Sequence, residues 1–159
     1  MPTVLLVDYL EQDRMLWDLL GPDKPALLAG LAQRAADAIP GLQAADLVQR
    51  LQAREAEGST AVGNGLALPH AMLPEIERTV LVVGRVAGGG VDYGAPDHLS
   101  VDLVFLLLSP ERDQAQHLRV LARLARIVGQ QSLLERLRDA TGPAEALRIL
   151  IEEDARHVY

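Results

Sequence analysis

The sequence predicts an α/β fold, in which helices flank a mixed central β-sheet within a single layered domain. Stretches whose apolar residues recur at helical spacing alternate with short apolar runs, as in a sheet covered by helices. Residues 101–108 are almost entirely apolar, which is typical of a central strand covered on both faces. Residues 59–69 are Gly-rich and hold two very short apolar pieces. Such paired short strands argue against a purely parallel sheet.

Chain length predicts one domain. A chain of 159 residues can bury most of its apolar surface around a single core. With 49% hydrophobic and 23% charged residues, the composition is that of an ordinary globular protein. We therefore assign residues 1–159 to one domain, and we expect the polar tail at 153–159 to fray.

The N-terminal part is predicted to form one strand and two helices. Residues 15–20 are a short apolar run closed by Gly-Pro-Asp at 21–23, which indicates a strand ending in a turn. Apolar residues then recur at helical spacing over 24–38. A second helix is predicted over 44–57, where Gly58 stops it.

The middle of the chain is predicted to supply the sheet. The small, Gly-rich residues 59–70 predict a tight hairpin. Residues 79–86 are rich in β-branched side chains and end at the glycine run 88–90, which predicts a strand and a turn. Residues 101–108 follow as the middle strand of the sheet.

Helices are predicted to close the domain. The sequence Ser-Pro-Glu at 109–111 is a helix-start signal, and Gly129 ends the long apolar stripe that follows it. Residues 132–135 match a capping box for a further helix, which ends at the Thr-Gly-Pro of 141–143. A last helix precedes the polar tail.

The charge pattern argues against nucleic acid and anionic lipid as partners. The net charge is −7, so the surface repels phosphate backbones unless basic groups cluster locally. The arginines and the single lysine, Lys24, are spread along the predicted helices among acidic residues. That spread is typical of solvated helix faces.

Cysteine is absent, which excludes disulfides, thiolate metal sites and cysteine nucleophiles in these residues. No apolar run approaches the roughly 18 to 20 residues of a membrane span. The first residues also lack the basic start of a signal peptide. We therefore expect a cytoplasmic protein without membrane insertion.

Two of the four histidines attract functional interest. His70 follows a Gly-rich segment and Pro69 at the end of a predicted strand, where it is either an exposed turn histidine or a functional group. His117 lies on the apolar stripe of its helix, which by itself favours a core histidine. The alternative is that this helix directs His117 into the cleft where His70 emerges. His98 lies in a turn and His157 in the polar tail, and neither needs a functional explanation.

Other chemistries lack their motifs. The glycine run 88–90 is not followed by the lysine of a nucleotide-binding P-loop. The chain has no HExxH zinc motif and no Gly-x-Ser-x-Gly elbow of a serine hydrolase.

Several segments resemble, in order and spacing, the enzyme IIA family of the bacterial phosphoenolpyruvate-dependent phosphotransferase system, of the fructose, mannitol and nitrogen-regulatory type. The phosphohistidine segment is matched by Arg54-Glu55, Gly58-Ser59-Thr60 and the Gly-Asn-Gly-Leu-Ala-Leu-Pro-His-Ala of 63–71. The later blocks of the family are matched by residues 91–97, by residues 101–108, and by residues 116–118 with 121–122.

The resemblance implies a mannitol-type enzyme IIA fold and a phosphotransferase component without cofactor or metal. It implies that His70 accepts a phosphoryl group from the phosphorylated histidine of a small phosphocarrier protein. It places His117 beside His70, to orient the imidazole or to donate to the phosphoryl group. The further phosphoryl-binding or orienting residues that it implies are Arg54, Ser59, Thr60 and Asn64.

Three functions fit this resemblance. The first is a phosphocarrier of the nitrogen-regulatory type, whose phosphorylation state controls target proteins. The second is a sugar-transport enzyme IIA of fructose or mannitol type, which passes the phosphoryl group to a separate cysteine-bearing IIB domain. The third, of a different class, is a regulatory binding module that keeps the fold without transferring phosphate. The presence of both His70 and His117 argues against the third.

Overall fold

A computed structural model describes residues 4–19 and 21–157 of the chain. Within these residues, short 3-10 helices at Leu6–Tyr9, Gln12–Arg14 and Ala87–Gly89 accompany six strands and five α-helices. In chain order these are β1 Met15–Leu19, α1 Lys24–Ala38, α2 Ala44–Ala56, β2 Ala61–Gly63, β3 Leu66–Ala67, β4 His70–Leu73, β5 Val80–Val86, β6 Leu103–Pro110, α3 Gln114–Val128, α4 Gln131–Asp139 and α5 Pro143–Arg156.

The strands form one mixed sheet with β6 in its middle, which confirms the predicted α/β fold class. The strand order is β1-β5-β6-β3-β2, and β4 also pairs with β6. Strand β5 runs antiparallel to β6 along one edge. On the other edge β3 and β4 follow one another, both parallel to β6. Strand β1 is parallel to β5, and β2 is antiparallel to β3.

Strand β6 separates two hydrophobic cores, and all eight of its residues are buried. Alternate side chains point to opposite faces of a strand. Val104, Leu106 and Leu108 therefore pack with α1 and α2 on one face. The intervening side chains pack with α3, α4 and α5 on the other. Each such buried side chain contributes about 1.5–3 kcal/mol of hydrophobic stabilisation.

The register of β4 against β6 positions His70. In this parallel pair His70 lies opposite Leu107, and Met72 lies opposite Ser109. Directly paired residues project to the same face of a sheet, so His70 shares the face of Leu107. That face is the one covered by α3.

The boundaries of α1 and α2 agree with the sequence prediction. The carboxylate of Asp23 accepts the N–H of Ala26 at 3.0 Å and caps α1. Helix α2 ends at Ala56, two residues before Gly58. Among the described residues, none of the helices has the length and apolarity needed to cross a bilayer.

The prediction that a helix starts at residues 109–111 is wrong. Ser109 and Pro110 instead complete β6 beside β4, and the N–H of Glu111 donates to the Leu73 carbonyl at 3.0 Å. The pairing of Ser109 and Pro110 with β4, which buries both residues, outweighs the local helix-start signal. Helix α3 begins at Gln114, after the capping side chain of Asp113.

The predicted capping box at 132–135 is also wrong. Helix α4 begins at Gln131, so Ser132 lies inside its first turn. The Gln130 carbonyl accepts the N–H groups of Leu133 and Leu134 at 3.1 and 3.3 Å. Burial of these two leucines sets the start of the helix without a side-chain cap.

The C-terminal segment packs further than predicted. We expected residues 153–159 to fray, but α5 continues to Arg156. Asp154 is only 1% exposed and binds Arg123 across the α3–α5 contact. The paired, buried carboxylate holds the last turn in place, because its partner would otherwise be a buried unpaired charge. Residues 158–159 of the predicted tail, and Leu20 of the predicted first strand, lie outside the described residues.

Candidate active site

His70 is the first residue of β4 and is half-buried. Its Nδ1 lies 2.8 Å from the carbonyl oxygen of Leu68. A carbonyl oxygen can only accept a hydrogen bond, so Nδ1 must carry the ring proton when the imidazole is neutral. The lone pair of the neutral ring is then on Nε2, the nitrogen a nucleophile would use.

His117 lies beside His70, as the resemblance to the enzyme IIA family implies. Helix α3 buries this side chain to 5% exposure. The ring centroids of His70 and His117 are 5.7 Å apart, and the rings are tilted by 44°. The Nδ1 of His117 lies 2.7 Å from the hydroxyl oxygen of Ser109 on β6. Each ring is thus held through its Nδ1. His70 is half-buried and His117 is buried.

His117 is held in its neutral form. Burial lowers the pKa of His117 below its ordinary value of 6.5, and the neighbouring His70 lowers it further. The shift has this direction because burial disfavours the charged imidazolium and a second imidazolium would repel it. At neutral pH the ring therefore offers one donor nitrogen and one acceptor nitrogen.

We expect an NMR pH titration to show the His117 midpoint below 6.5 in the wild-type protein. Replacing His70 by alanine should raise that midpoint, because it removes a like charge and admits water to His117. His98→Ala, a change in an exposed turn, should leave the His117 midpoint where it was. A His117 midpoint that is unchanged in His70→Ala would contradict this coupling.

A largely buried polar cluster joins α1, α2, the residue before β2 and the loop that contains Tyr93. Lys24 places Nζ 2.9 Å from a carboxylate oxygen of Glu55 and 4.3 Å from the ring centre of Tyr93. The backbone N–H of Thr60 donates to Glu55 at 3.0 Å, and the Thr60 hydroxyl donates to the other carboxylate oxygen. The Tyr93 hydroxyl lies 3.1 Å from the Thr60 hydroxyl oxygen. We call Lys24, Glu55, Thr60 and Tyr93 the Glu55 cluster.

Protonation states inside the Glu55 cluster follow from these contacts. Burial raises the pKa of Tyr93, which therefore keeps its proton and donates to the Thr60 hydroxyl. Burial also acts to raise the pKa of Glu55, but hydrogen bonds from Thr60 and Lys24 outweigh it, so that pKa is lowered. Glu55 is therefore an ionised acceptor with both oxygens occupied.

The Glu55 cluster supports the anchor of His70. Thr60 accepts the N–H of Leu68 through its backbone carbonyl at 3.0 Å. Leu68 in turn accepts the Nδ1 proton of His70. Two hydrogen bonds thus connect the cluster to the imidazole, and a rigid Thr60 fixes the carbonyl that selects the His70 tautomer.

Removing the charge of Glu55 tests how much the Glu55 cluster stabilises the fold. We expect Glu55→Gln to lower the free energy of unfolding by ~1–3 kcal/mol, because Lys24 loses its ionic partner and an amide oxygen is a weaker acceptor. Urea denaturation measures the change. Glu57→Gln is the matched control. This exposed side chain lies two residues further along the chain, and its replacement should leave the free energy of unfolding nearly unchanged. Equal losses in the two variants would show that the cluster does not stabilise the protein.

Arg54, Ser59 and Thr60 lie around the entry to β2. The Arg54 guanidinium donates to the Gly58 carbonyl at 2.9 Å. The Ser59 hydroxyl accepts the N–H of Ala61 at 3.1 Å and donates to the Tyr93 carbonyl at 3.4 Å. The hydroxyl of Ser59 therefore binds Ala61 and Tyr93, and that of Thr60 binds Glu55 and Tyr93, rather than either imidazole. In this geometry they orient the segment that leads to His70.

Asn64 is not brought to the histidine pair. It lies in the β2–β3 turn with a φ of +58°, and its N–H donates to Asp97 at 2.8 Å. Leu66 is paired with Leu103 and His70 with Leu107, so four residues, or about 13 Å of strand, separate even Leu66 from His70. Asn64 shapes the hairpin turn at the opposite end of β6.

Sequence reasoning missed Ser109, Lys24 and Tyr93 as parts of the site. The sequence places Ser109 at a helix start, whereas the residue lies on β6, so the local motif gives no sign of its contact with His117. Lys24 and Glu55 are far apart in sequence, so no local spacing signals their pairing. Tyr93, a tyrosine in an otherwise loop-like block, was the one available hint. Within the described part of the chain, no three histidine or carboxylate side chains cluster as metal ligands.

Comparison with known proteins gives matches along nearly the whole chain. A family model described as the phosphoenolpyruvate-dependent sugar phosphotransferase system, EIIA 2, matches residues 8–153. The nitrogen regulatory protein of Bradyrhizobium diazoefficiens is 37% identical over 142 residues, which are 89% of this chain and 91% of that protein.

Two solved structures share the fold. The nitrogen regulatory protein IIA-Ntr of Neisseria meningitidis superposes with a TM-score of 0.85 at 30% identity, over 91% of this chain and 98% of that one. The mannitol IIA protein of Escherichia coli superposes with a TM-score of 0.74 at 21% identity, over 89% and 98%. The second likeness concerns the fold alone, and it agrees with the mannitol-type fold predicted from the sequence.

Proposed function

Because the chain belongs to the EIIA 2 family of the phosphoenolpyruvate-dependent sugar phosphotransferase system, we propose that it is a phosphocarrier whose His70 accepts a phosphoryl group. The donor is the phosphorylated histidine of a small phosphocarrier protein. The observation that carries this proposal is the pair of imidazoles 5.7 Å apart, each fixed through Nδ1 by a different partner. Such a pair supplies a nucleophile and, beside it, a second imidazole that can donate a hydrogen bond to the transferred group.

Nε2 of His70 is the nucleophile. Its lone pair forms the new N–P bond, while the electron pair of the breaking P–N bond returns to the donor histidine. The ring proton stays on Nδ1, hydrogen-bonded to the Leu68 carbonyl at 2.8 Å. That carbonyl stabilises the positive charge which the ring gains during attack. Bond making and bond breaking involve the same kind of N–P bond, so the transfer is nearly balanced in free energy.

The surroundings of His70 suit a protein donor. The imidazole is half-buried rather than enclosed, so another protein's histidine can reach it. Leu118, next to His117 in the chain, is 64% exposed. We propose that this exposed leucine contacts the donor protein.

The proposed phosphocarrier is of the nitrogen-regulatory type. Two matches in which the chain is at least 30% identical, in Bradyrhizobium diazoefficiens and Neisseria meningitidis, carry the description nitrogen regulatory protein. A phosphoryl group on His70 adds negative charge to a chain whose net charge is already −7. Target proteins can read such a local change of charge.

The sugar-transport alternative makes a different prediction about the recipient. The phosphorylated protein would then pass its group to a separate cysteine-bearing IIB domain of fructose or mannitol type. Under our proposal, mixing with such a domain leaves the phosphoryl group on His70. Rapid transfer to the IIB cysteine would replace the regulatory assignment by the transport one.

The phosphocarrier proposal is tested by reconstitution. The purified protein is incubated with phosphoenolpyruvate, the general first enzyme of the system and the small histidine phosphocarrier, and its intact mass is measured. We expect one added phosphoryl group that is lost in mild acid, and NMR of ¹⁵N-labelled protein should place it on Nε2. Omission of the small phosphocarrier is the control. An unmodified protein, or an acid-stable adduct, would remove His70 phosphorylation from consideration.

A further inference from the structure

Ser109 is a buried hydroxyl in direct contact with the histidine pair. It occupies the next-to-last position of β6, two residues beyond the strand partner of His70. Its side chain is 0% exposed, and its oxygen lies 2.7 Å from Nδ1 of His117. Since Leu107 and Ser109 project to the same face of β6, one strand supports both imidazoles.

The direction of the Ser109–His117 hydrogen bond follows from what else the hydroxyl can reach. Among the residues that the structure describes, His117 is the hydrogen-bond partner found for the Ser109 hydroxyl. Leaving a buried O–H without an acceptor is unfavourable, because the group has lost its hydrogen bonds to water. The hydroxyl therefore donates to Nδ1, and Nδ1 acts as the acceptor.

This direction determines the tautomer of His117. A neutral imidazole with Nδ1 as acceptor carries its proton on Nε2. Since Ser109 occupies Nδ1, the Nε2–H is the ring donor that remains for a group on His70, whose ring centre is 5.7 Å away.

We propose that Ser109 is a positioning residue that fixes His117 in the Nε2–H tautomer and thereby keeps a hydrogen-bond donor aimed at the phosphoryl group on His70. This inference rests on the proposed phosphocarrier function. Without the hydroxyl, His117 can also adopt the Nδ1–H tautomer, in which the lone pair on Nε2 repels phosphoryl oxygens. The donor is worth most in the transition state, where charge develops on those oxygens.

The first test measures the tautomer without any phosphoryl transfer. Long-range ¹H–¹⁵N NMR of the unphosphorylated protein should show a protonated Nε2 and an unprotonated Nδ1 for His117. Ser109→Ala should move both nitrogens toward averaged shifts, and Ser109→Thr, which keeps a hydroxyl on a strand, should restore the wild-type pattern. A wild-type His117 protonated on Nδ1 overturns the proposal, whether or not His70 is phosphorylated.

The second test measures transfer from the phosphorylated donor protein to His70. We expect Ser109→Ala to lower the transfer rate at saturating donor by about 10- to 100-fold, with a much smaller change in the donor concentration at half-maximal rate. Ser132→Ala, an exposed serine of α4, should transfer at the wild-type rate. Urea midpoints and circular dichroism establish that each variant is folded.

A double-mutant cycle separates positioning from general structural support. In a His117→Ala background, adding Ser109→Ala should cause no further loss of rate, because the residue acts through His117. Equal losses in both backgrounds would overturn the proposal. If neither background nor wild type accepts a phosphoryl group, the phosphocarrier function itself has failed, and the NMR result still decides the tautomer.

Discussion

Replacing His70 by alanine is expected to abolish phosphoryl acceptance, lowering the rate by at least ~10³-fold. The change removes the half-buried imidazole of the pair, whose Nε2 carries the lone pair. His117 cannot substitute, because it is 5% exposed and its Nδ1 is bound by Ser109. Intact-mass measurement after incubation with the phosphorylated donor should show no adduct.

The control for this experiment is another histidine. His98 is exposed in a turn with a φ of +61° and lies outside the site. His98→Ala should accept the phosphoryl group as the wild-type protein does. His117→Ala should still accept some, since the nucleophile remains, while transferring more slowly. Phosphorylation of His70→Ala at the wild-type level would show that the assignment of the nucleophile is wrong.

The largest expected effect on stability comes from Asp154→Ala, about 3–5 kcal/mol. The Asp154 carboxylate accepts from Arg123 Nε at 2.8 Å and from the N–H of Val7 at 3.0 Å. Both side chains of the ion pair are nearly inaccessible, with 7% exposure for Arg123 and 2% for Asp154. Removing the carboxylate leaves a buried guanidinium without its counter-charge and a backbone N–H without its acceptor.

Urea denaturation measures this loss, and Glu152→Ala is the matched control. Glu152 lies on the same helix, and its ion pairs with Arg136 and Arg148 are largely exposed. Exposed ion pairs of this kind contribute only about 0–1 kcal/mol. A similar decrease in the free energy of unfolding of both variants would mean that the buried Arg123–Asp154 pair stabilises the protein no more than an exposed pair does.

Much of the fold could be predicted because its signals are local. The almost entirely apolar run at 101–108 indicates a strand covered on both faces, and β6 has that position. The end of β6 could not be predicted in this way. Ser109 and Pro110 belong to the strand because β4, far away in sequence, pairs with them. A helix-start motif reports local preference, and tertiary pairing overrides it.

In the candidate site, too, the features with local sequence signals could be predicted and the contacts between distant elements could not. His70 was singled out by its neighbours in the chain, and the order of the sequence blocks linked it with His117. The hydroxyl that holds His117 and the carboxylate that holds Thr60 lie on elements distant in sequence from the side chains they bind. Such contacts depend on register and helix placement, which periodicity does not specify.

The central position of β6 has a consequence for the order in which the chain can fold during synthesis. Strands β3, β4 and β5 are all made before β6, and all three pair with it. Until about residue 110 has left the ribosome, β3 and β4 have no neighbour on their parallel side. The histidine pair needs still more of the chain, since α3 begins only at Gln114. Long-range parallel pairings form slowly, so a nascent chain that holds His70 must wait for the second half of its sheet before the site exists.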